Sequence, residues 1–239
     1  MIPVDELLYE TFSLKADKIG KLFYEDIPLE DKLLILNQAQ IEWVKSRNGL
    51  SNMYKEGFED SLKRIDDINS VLLVRDKELE LSKIGGVYNT YVYDMKLIKN
   101  YMLYKDSYAM AIKDCCNERP IFNNMVTTGD LSNWYWGDNT KPSFDWQEQL
   151  ISISENTLEI HTDSDYELTT MFITYIRYPK RIDKKGITWF DGSPSKDQDC
   201  ELPYYTKNDI SDWAVKMVGM YLENPTMVQT AQERIMNNE

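Results

Sequence analysis

The sequence is poor in the residues that most often carry catalysis. It has one histidine, His161, and three cysteines, Cys115, Cys116 and Cys200, in 239 residues. A single histidine excludes multi-histidine metal sites. An odd cysteine count with one adjacent pair is not a disulfide framework, and the absence of Cys-x-x-Cys spacing removes the usual zinc and redox motifs. Three free thiols in a reducing compartment are the expectation. There is no Gly-x-Ser-x-Gly elbow, no Gly-x-Gly-x-x-Gly and no Walker A sequence, and Gly85-Gly86 reads only as a turn. No window of about 18 apolar residues exists, so no transmembrane helix is expected. The start, Met1-Ile2-Pro3-Val4-Asp5-Glu6, has no basic stretch followed by an apolar run, so no signal peptide is expected.

Against this background, aromatic and acidic residues stand out. Sixteen Tyr, six Trp and an aromatic share of 12%, within 42% hydrophobic residues, argue for a packed core and against disorder along the whole chain. Lys plus Arg number 27 and Asp plus Glu 40, a formal charge of −13. That balance excludes a basic groove that wraps nucleic acid.

The first third reads as helix. Leu29, Leu33, Leu36, Gln40, Trp43 and Arg47 fall at three- and four-residue steps, the period of one helix face. Asp26 and Pro28 supply a start, and Asn48-Gly49 a stop. An earlier helix over about Val4 to Lys18 carries Leu7, Leu8, Phe12 and Leu14, and a further one near Gly57 carries Phe58, Leu62, Ile65 and Leu72. From Val71 the pattern changes to short β-branched and aromatic runs: Val71–Val74, Leu79–Ile84, Tyr108–Ile112 and Tyr166–Tyr178. Leu150–Ser154 and Thr157–His161 flank the polar pair Glu155-Asn156, which reads as a hairpin. Thr169–Tyr178 is long enough for a central strand, ended by Pro179. Asn117 to Trp146, rich in Asn, Gly, Asp and Trp, reads as a long loop over the sheet. The last forty residues return to helix. Thr206 to Asp209 has capping-box spacing, Ile210 to Tyr221 forms an apolar stripe, and Asn224-Pro225 restarts a short polar helix.

Segregated helix and strand runs predict an α+β protein: N- and C-terminal helices packed as a helical bundle with an inserted antiparallel β-rich subdomain. The expected divisions are 1–70 for the N-terminal helices, 71–200 for the β-rich insert with its aromatic loop, and 201–239 for the C-terminal helices that complete the bundle, with a polar tail.

Groups suited to catalysis or metal binding are few. His161 ends a hairpin strand and reads as an ordinary strand residue. Asp163-Ser164-Asp165-Tyr166-Glu167 and Asp197-Gln198-Asp199-Cys200-Glu201 could supply hard oxygen ligands to calcium, but neither matches the calcium-loop pattern and a solvated loop explains both. A carboxylate pair of glycosidase type is possible wherever acids abound. Trp134, Tyr135, Trp136, Phe144 and Trp146 form the densest aromatic segment. Such rings stack on sugars, anchor a loop to its own sheet, or bury themselves against a neighbouring subunit.

The helical ends carry a resemblance. Leu36-Asn37-Gln38-Ala39-Gln40-Ile41-Glu42-Trp43-Val44-Lys45-Ser46-Arg47 is a helix built around Asn-x-Ala-Gln, and Gly57-Phe58-Glu59-Asp60-Ser61-Leu62-Lys63-Arg64-Ile65-Asp66-Asp67-Ile68 follows it. Later come Ile176-Arg177-Tyr178-Pro179-Lys180-Arg181-Ile182, Cys200-Glu201-Leu202-Pro203, Ile210-Ser211-Asp212-Trp213-Ala214-Val215 and Gln229-Thr230-Ala231-Gln232-Glu233-Arg234. This order resembles the structural ring, or head–tail connector, proteins of crAss-like tailed phages, and is similar in plan to the adaptor ring proteins of short-tailed phages. The resemblance touches both helical ends and the last β segment and says little about residues 85–150. It implies a virion component, made in the bacterial host cytoplasm, that forms a ring of typically twelve copies below the portal. The helices would pack side by side around a channel, the β part would lie outward or toward the tail, DNA would pass through during ejection without sequence-specific binding, and further tail or ring proteins would attach below.

Charge is compatible with that implication, since walls at −13 per copy would let a duplex slide rather than adhere. On this reading the protein is not an enzyme, has no cofactor or metal and meets no membrane. Candidate subunit or portal contacts are Trp134, Trp136, Met227, Ile235 and Met236. The polar tail from Thr226 to Glu239 is expected to order only against the portal or a neighbouring subunit, as opposed to fraying. The alternative is a carbohydrate-binding or adhesion module that uses the Trp134–Trp146 loop. A two-carboxylate glycosidase explains nothing that the acidic excess does not.

Overall fold

A computed structural model describes residues 1–16, 27–48, 68, 71–84, 89–114, 116–154, 156–163, 165–189 and 192–238. In chain order the elements are the π-wound helix α1 (Glu6–Ser13), α2 (Leu29–Asn48), β1 (Leu73–Leu79), β2 (Ser82–Ile84), β3 (Thr90–Asp94), β4 (Tyr101–Ile112), β5 (Arg119–Met125), the short helix α3 (Leu131–Tyr135), β6 (Glu148–Ser154), β7 (Thr157–His161), β8 (Glu167–Arg177), α4 (Lys207–Tyr221) and α5 (Pro225–Asn238). They form two compact units, one of Met1–Leu72 with Tyr178–Glu239 and one of Leu73–Arg177.

In the first unit the apolar face of α2 is where its periodicity puts it. Leu33, Leu36, Ala39, Gln40, Trp43, Val44 and Arg47 are all buried. Its polar members have assigned partners. Asn37 clamps the backbone of Ile182, whose N–H donates to Asn37 Oδ1 at 2.8 Å while Asn37 Nδ2 donates to the Ile182 carbonyl at 2.8 Å. Gln40 Nε2 donates to the Lys180 carbonyl at 3.1 Å and to Asn37 Oδ1 at 3.0 Å. The Asn-x-Ala-Gln pattern thus satisfies the irregular segment that follows Pro179, which would otherwise present unpaired backbone groups.

Helix α4 is the hub of this unit. Its apolar side buries Ile210, Ala214, Val215 and Val218, and its carboxylates tie in the other helices. Arg47 Nη2 of α2 lies 3.0 Å from Asp209. Lys15 Nζ, just past α1, lies 2.7 Å from Asp212 Oδ1, and Arg234 Nη1 of α5 is 3.7 Å from the same oxygen. Asp212 is only 2% exposed, so its charge depends on these cations. Burial lowers the Lys15 ammonium from its ordinary value, and the hydrogen bond to Asp212 opposes that shift. Thr206 does not form the expected capping box: its hydroxyl donates to the Pro203 carbonyl at 2.8 Å, and Asp209 is engaged with Arg47 instead. Asn224 does cap α5, its Oδ1 accepting from the Met227 N–H at 3.2 Å. The tail orders against its own unit: α5 buries Met227, Ala231 and Ile235, and Gly219 of α4 lets the helices approach so closely that a Cβ there would lie 3.0 Å from Val228.

The second unit overturns the expected architecture. The chain is strand-rich, and its main body is one eight-stranded, curled, mixed sheet rather than a terminal helical bundle carrying an antiparallel insert. The strand order is β1-β8-β4-β5-β6-β7-β3-β2, antiparallel except for the parallel pair β5–β6. Curling brings distant strands together: the Leu168 N–H of β8 donates to the Tyr91 hydroxyl of β3 at 3.3 Å, and Lys83 of β2 pairs with Glu167 of β8 at 3.0 Å. Register shifts in β1–β8 and β4–β8 bend the strands. The enclosed face buries Tyr91, Tyr93, Ala109, Ala111, Ile121, Ile151, Leu158, Ile160, Met171, Ile173 and Tyr175.

The long loop expected between Asn117 and Trp146 contains β5 and α3. Pro120 and Asn123-Asn124 look like turn signals, but Pro120 sits one residue into the strand, before pairing with β6 begins at Phe122, and Asn123 is paired by side chains. The predicted helix of Phe58, Leu62 and Ile65, the Gly85-Gly86 turn and Cys115 lie outside the described residues.

The hub yields a prediction. Replacing Asp212 by alanine removes the buried carboxylate that neutralises Lys15, which keeps only the neutral acceptors Asn208 and Ser211, and should cost about 3 kcal/mol in urea unfolding. Asp165→Ala, whose ion pair with Lys113 is solvent-exposed at 3.5 Å, should change stability by less than about 1 kcal/mol.

Candidate interaction surface

The crossover from β5 to β6 is long because a parallel pair cannot be joined by a tight turn. Here it folds into a knob on the sheet. Val126, Leu131 and Leu150 pack together with Tyr135 beside them, and the Tyr135 hydroxyl donates to the Thr162 carbonyl at 3.0 Å. Thr127 Oγ1 donates to Asp130 Oδ2 at 2.7 Å, and Thr140 Oγ1 donates to the Trp134 carbonyl at 2.8 Å. At the far end Phe144 inserts into the enclosed core, 5.8 Å from Tyr166 and under the Arg119 guanidinium at 4.2 Å. Anchored in this way, the knob points Trp134 (42% exposed), Trp136 (66%) and Trp146 (80%) outward.

The sequence-predicted contact residues therefore divide. Trp134 on α3 and Trp136, the residue that caps its C-terminus, are open to a partner. Met227 and Ile235 are buried against α4, and Met236 is the one of the three in α5 that remains exposed. Burial within their own unit assigns Met227 and Ile235 to folding.

His161 sits in β7 with both ring nitrogens engaged, Nδ1 3.2 Å from Thr90 Oγ1 and Nε2 3.0 Å from Ser152 Oγ. Burial pushes its pKa down to about 4, so it is neutral at pH 7. Two hydroxyl partners and no approach from solvent make it a structural residue. The two acidic clusters are also accounted for. Asp165 and Glu167 pair with Lys113 and Lys83, and Ser164 lies outside the described residues. Asp197, Asp199 and Glu201 accept the backbone N–H groups of Lys185, Val4 and Lys180 at 3.0, 2.9 and 2.8 Å. Cys200 is buried, its thiol pushed up to about 11 by burial, and Cys116 is half-buried. Among the described residues no group of three or more His, Cys, Asp or Glu is arranged to hold a metal ion.

Two features escape sequence reading because they exist only through strand register. On the enclosed face a polar chain runs across three strands: Tyr104 hydroxyl to Ser107 Oγ at 2.8 Å, Asn123 Nδ2 to the same Oγ at 2.5 Å, and Gln149 Nε2 to Asn123 Oδ1 at 2.5 Å. On the outer face Phe172, Tyr108 and Phe122 align on β8, β4 and β5. Alternation within each strand hints at both, but pairing partners are not written in spacing.

The His161 environment fixes a pH dependence. Between about pH 6.5 and pH 4 the unfolded chain binds a proton that the folded chain refuses. The contribution of this residue is therefore intact above pH 6.5 and falls as the pH drops, by roughly 3 kcal/mol at pH 4. Urea midpoints of the wild type should fall more steeply over this window than those of His161→Gln, whose amide can still bond Ser152 and Thr90. No protein-family model matches the sequence, and no curated protein matches it either.

Proposed function

We propose that this chain is a non-enzymatic structural subunit: a virion ring protein at the head–tail joint of a phage, assembled below the portal and giving passage to DNA. The carrying observation is the knob between β5 and β6. Its backbone is fixed at Tyr135, Thr140 and Phe144, yet Trp134 and Trp136 point into solvent. Rigid, outward tryptophans bind with little loss of conformational freedom and are typical anchors of protein interfaces. Further support comes from large apolar side chains exposed elsewhere, among them Tyr204, Tyr205, Met220 and Tyr221. The formal charge of −13 favours a conduit that does not grip DNA, and the one histidine is engaged in holding strands together. The reading draws its virion setting from the resemblance of the Asn37–Gln40 helix, the Tyr178–Ile182 segment and α4 to connector proteins. No terminal helical bundle is needed for it.

Mass photometry of the protein mixed with its portal tests this. The wild type should give portal-bound multimers, and the double substitution Trp134→Ala, Trp136→Ala should reduce multimer formation about tenfold or more while leaving the thermal midpoint unchanged. A monomer that ignores the portal, together with glycan-array binding lost in the same variant, would instead identify the knob as a carbohydrate-binding loop.

A further inference from the structure

The outer face of the sheet carries a row that the β5–β6 knob leaves uncovered. Strand register aligns Glu78 of β1, Phe172 of β8, Tyr108 of β4, Phe122 of β5 and Glu148 of β6. Adjacent strands pair these residues directly, so all five side chains share one face. Tyr108 and Phe172 stack with ring centroids 5.1 Å apart and an interplanar angle of 21°. Phe122 is 53% exposed, and Glu78 and Glu148 are exposed at the two ends. Asp76 adds a third carboxylate beside the Tyr108 hydroxyl, which burial first and then Asp76 raise above its ordinary pKa. Among the described residues none of these three carboxylates has an ion-pair partner.

We propose that this row is a docking site for an extended polypeptide segment of a partner protein bearing two Lys or Arg side chains, with apolar residues between them. Charge complementarity selects the occupant. An apolar strip closed at both ends by unpaired carboxylates favours cationic heads whose aliphatic stems lie over the rings. Nucleic acid is repelled by the same charges. A second copy laid face to face would set carboxylates against carboxylates. A sugar stacks on ring faces, and the mutual stacking of Tyr108 and Phe172 covers one face of each. The spacing sets the register of the partner. Four inter-strand steps of ~4.8 Å separate the Glu78 and Glu148 positions by ~19 Å, which an extended chain spans in about six residues. Period-two alternation then places cations at the ends of a seven-residue stretch, with its third and fifth residues over the rings. The site is separate from Trp134 and Trp136 and does not depend on the ring reading.

Fluorescence anisotropy with the full chain and a labelled peptide Arg-Ser-Val-Ser-Val-Ser-Arg tests the proposal. Binding should weaken with added salt, and should weaken about fivefold or more with Phe122→Ala, with Glu148→Gln, and with a peptide in which both arginines are adjacent at one end. Trp134→Ala, Trp136→Ala should bind as the wild type does. Both outer-face positions are exposed, so melting curves should confirm that their variants fold. Absence of binding at millimolar peptide would overturn the proposal, as would equal binding by the variants or by the rearranged peptide.

Discussion

An eight-stranded sheet with one apolar face must remove that face from water, and here the sheet does so by curling onto itself. Tyr91 of β3 reaches the backbone of Leu168 in β8, strands that lie near opposite ends of the sheet order. Tyrosines, Phe144 and Met171 fill the enclosed space, and bulges in β4 and β8 supply the bend. The consequence is an outer face much of which stays open. The aromatic row lies on that face, and the tryptophan knob is the crossover that the parallel β5–β6 pair requires.

Curling also leaves β1 and β2 at the sheet edges, and both are poor templates for strand addition. Strand β1 has a register shift between Val74 and Lys77, Asp76 at φ +48°, and charged exposed residues from Arg75 to Glu78; β2 has three residues. Such edges discourage uncontrolled pairing. Association is thereby directed to side chains on faces and loops. In the helical unit a different device operates: the buried Asp212 and the half-buried Asp209 of α4 hold cations from three other segments, and Asn37 with Gln40 fastens the return of the chain at Lys180 and Ile182. These are specific polar contacts, costly to break singly because each leaves a buried group without its partner.

Much of the local structure was legible. The period of Leu33, Leu36, Gln40, Trp43 and Arg47 marks the buried side of α2, and the Leu150–His161 stretch pairs as a hairpin with Leu150 opposite His161. Strands β4 and β5 were not legible in full. Lys105-Asp106-Ser107 interrupts the apolar run of β4, and Pro120 with Asn123-Asn124 disguises β5 as loop, because Ser107, Asn123 and Gln149 satisfy one another only when three strands come together. The capping-box spacing at Thr206 was locally plausible, but Arg47, far away in sequence, claims Asp209. Trp134 and Trp136 stood out as candidates from composition, whereas Met227 and Ile235 could not be told from core residues until α5 was seen against α4.

By itself the sequence determined the periodic faces, the acidic charge, the scarcity of catalytic groups and the existence of an aromatic loop, since each of these follows from residue type and short-range spacing. Only the tertiary structure decided that the strands join into a single curled mixed sheet, that β5 and β6 run parallel, and that Phe172, Tyr108 and Phe122 share one row. The physical reason is that strand pairing is made between backbone groups, which every residue except proline offers alike. Which strands meet is settled by burying one continuous face of the whole sheet, a condition no local window contains.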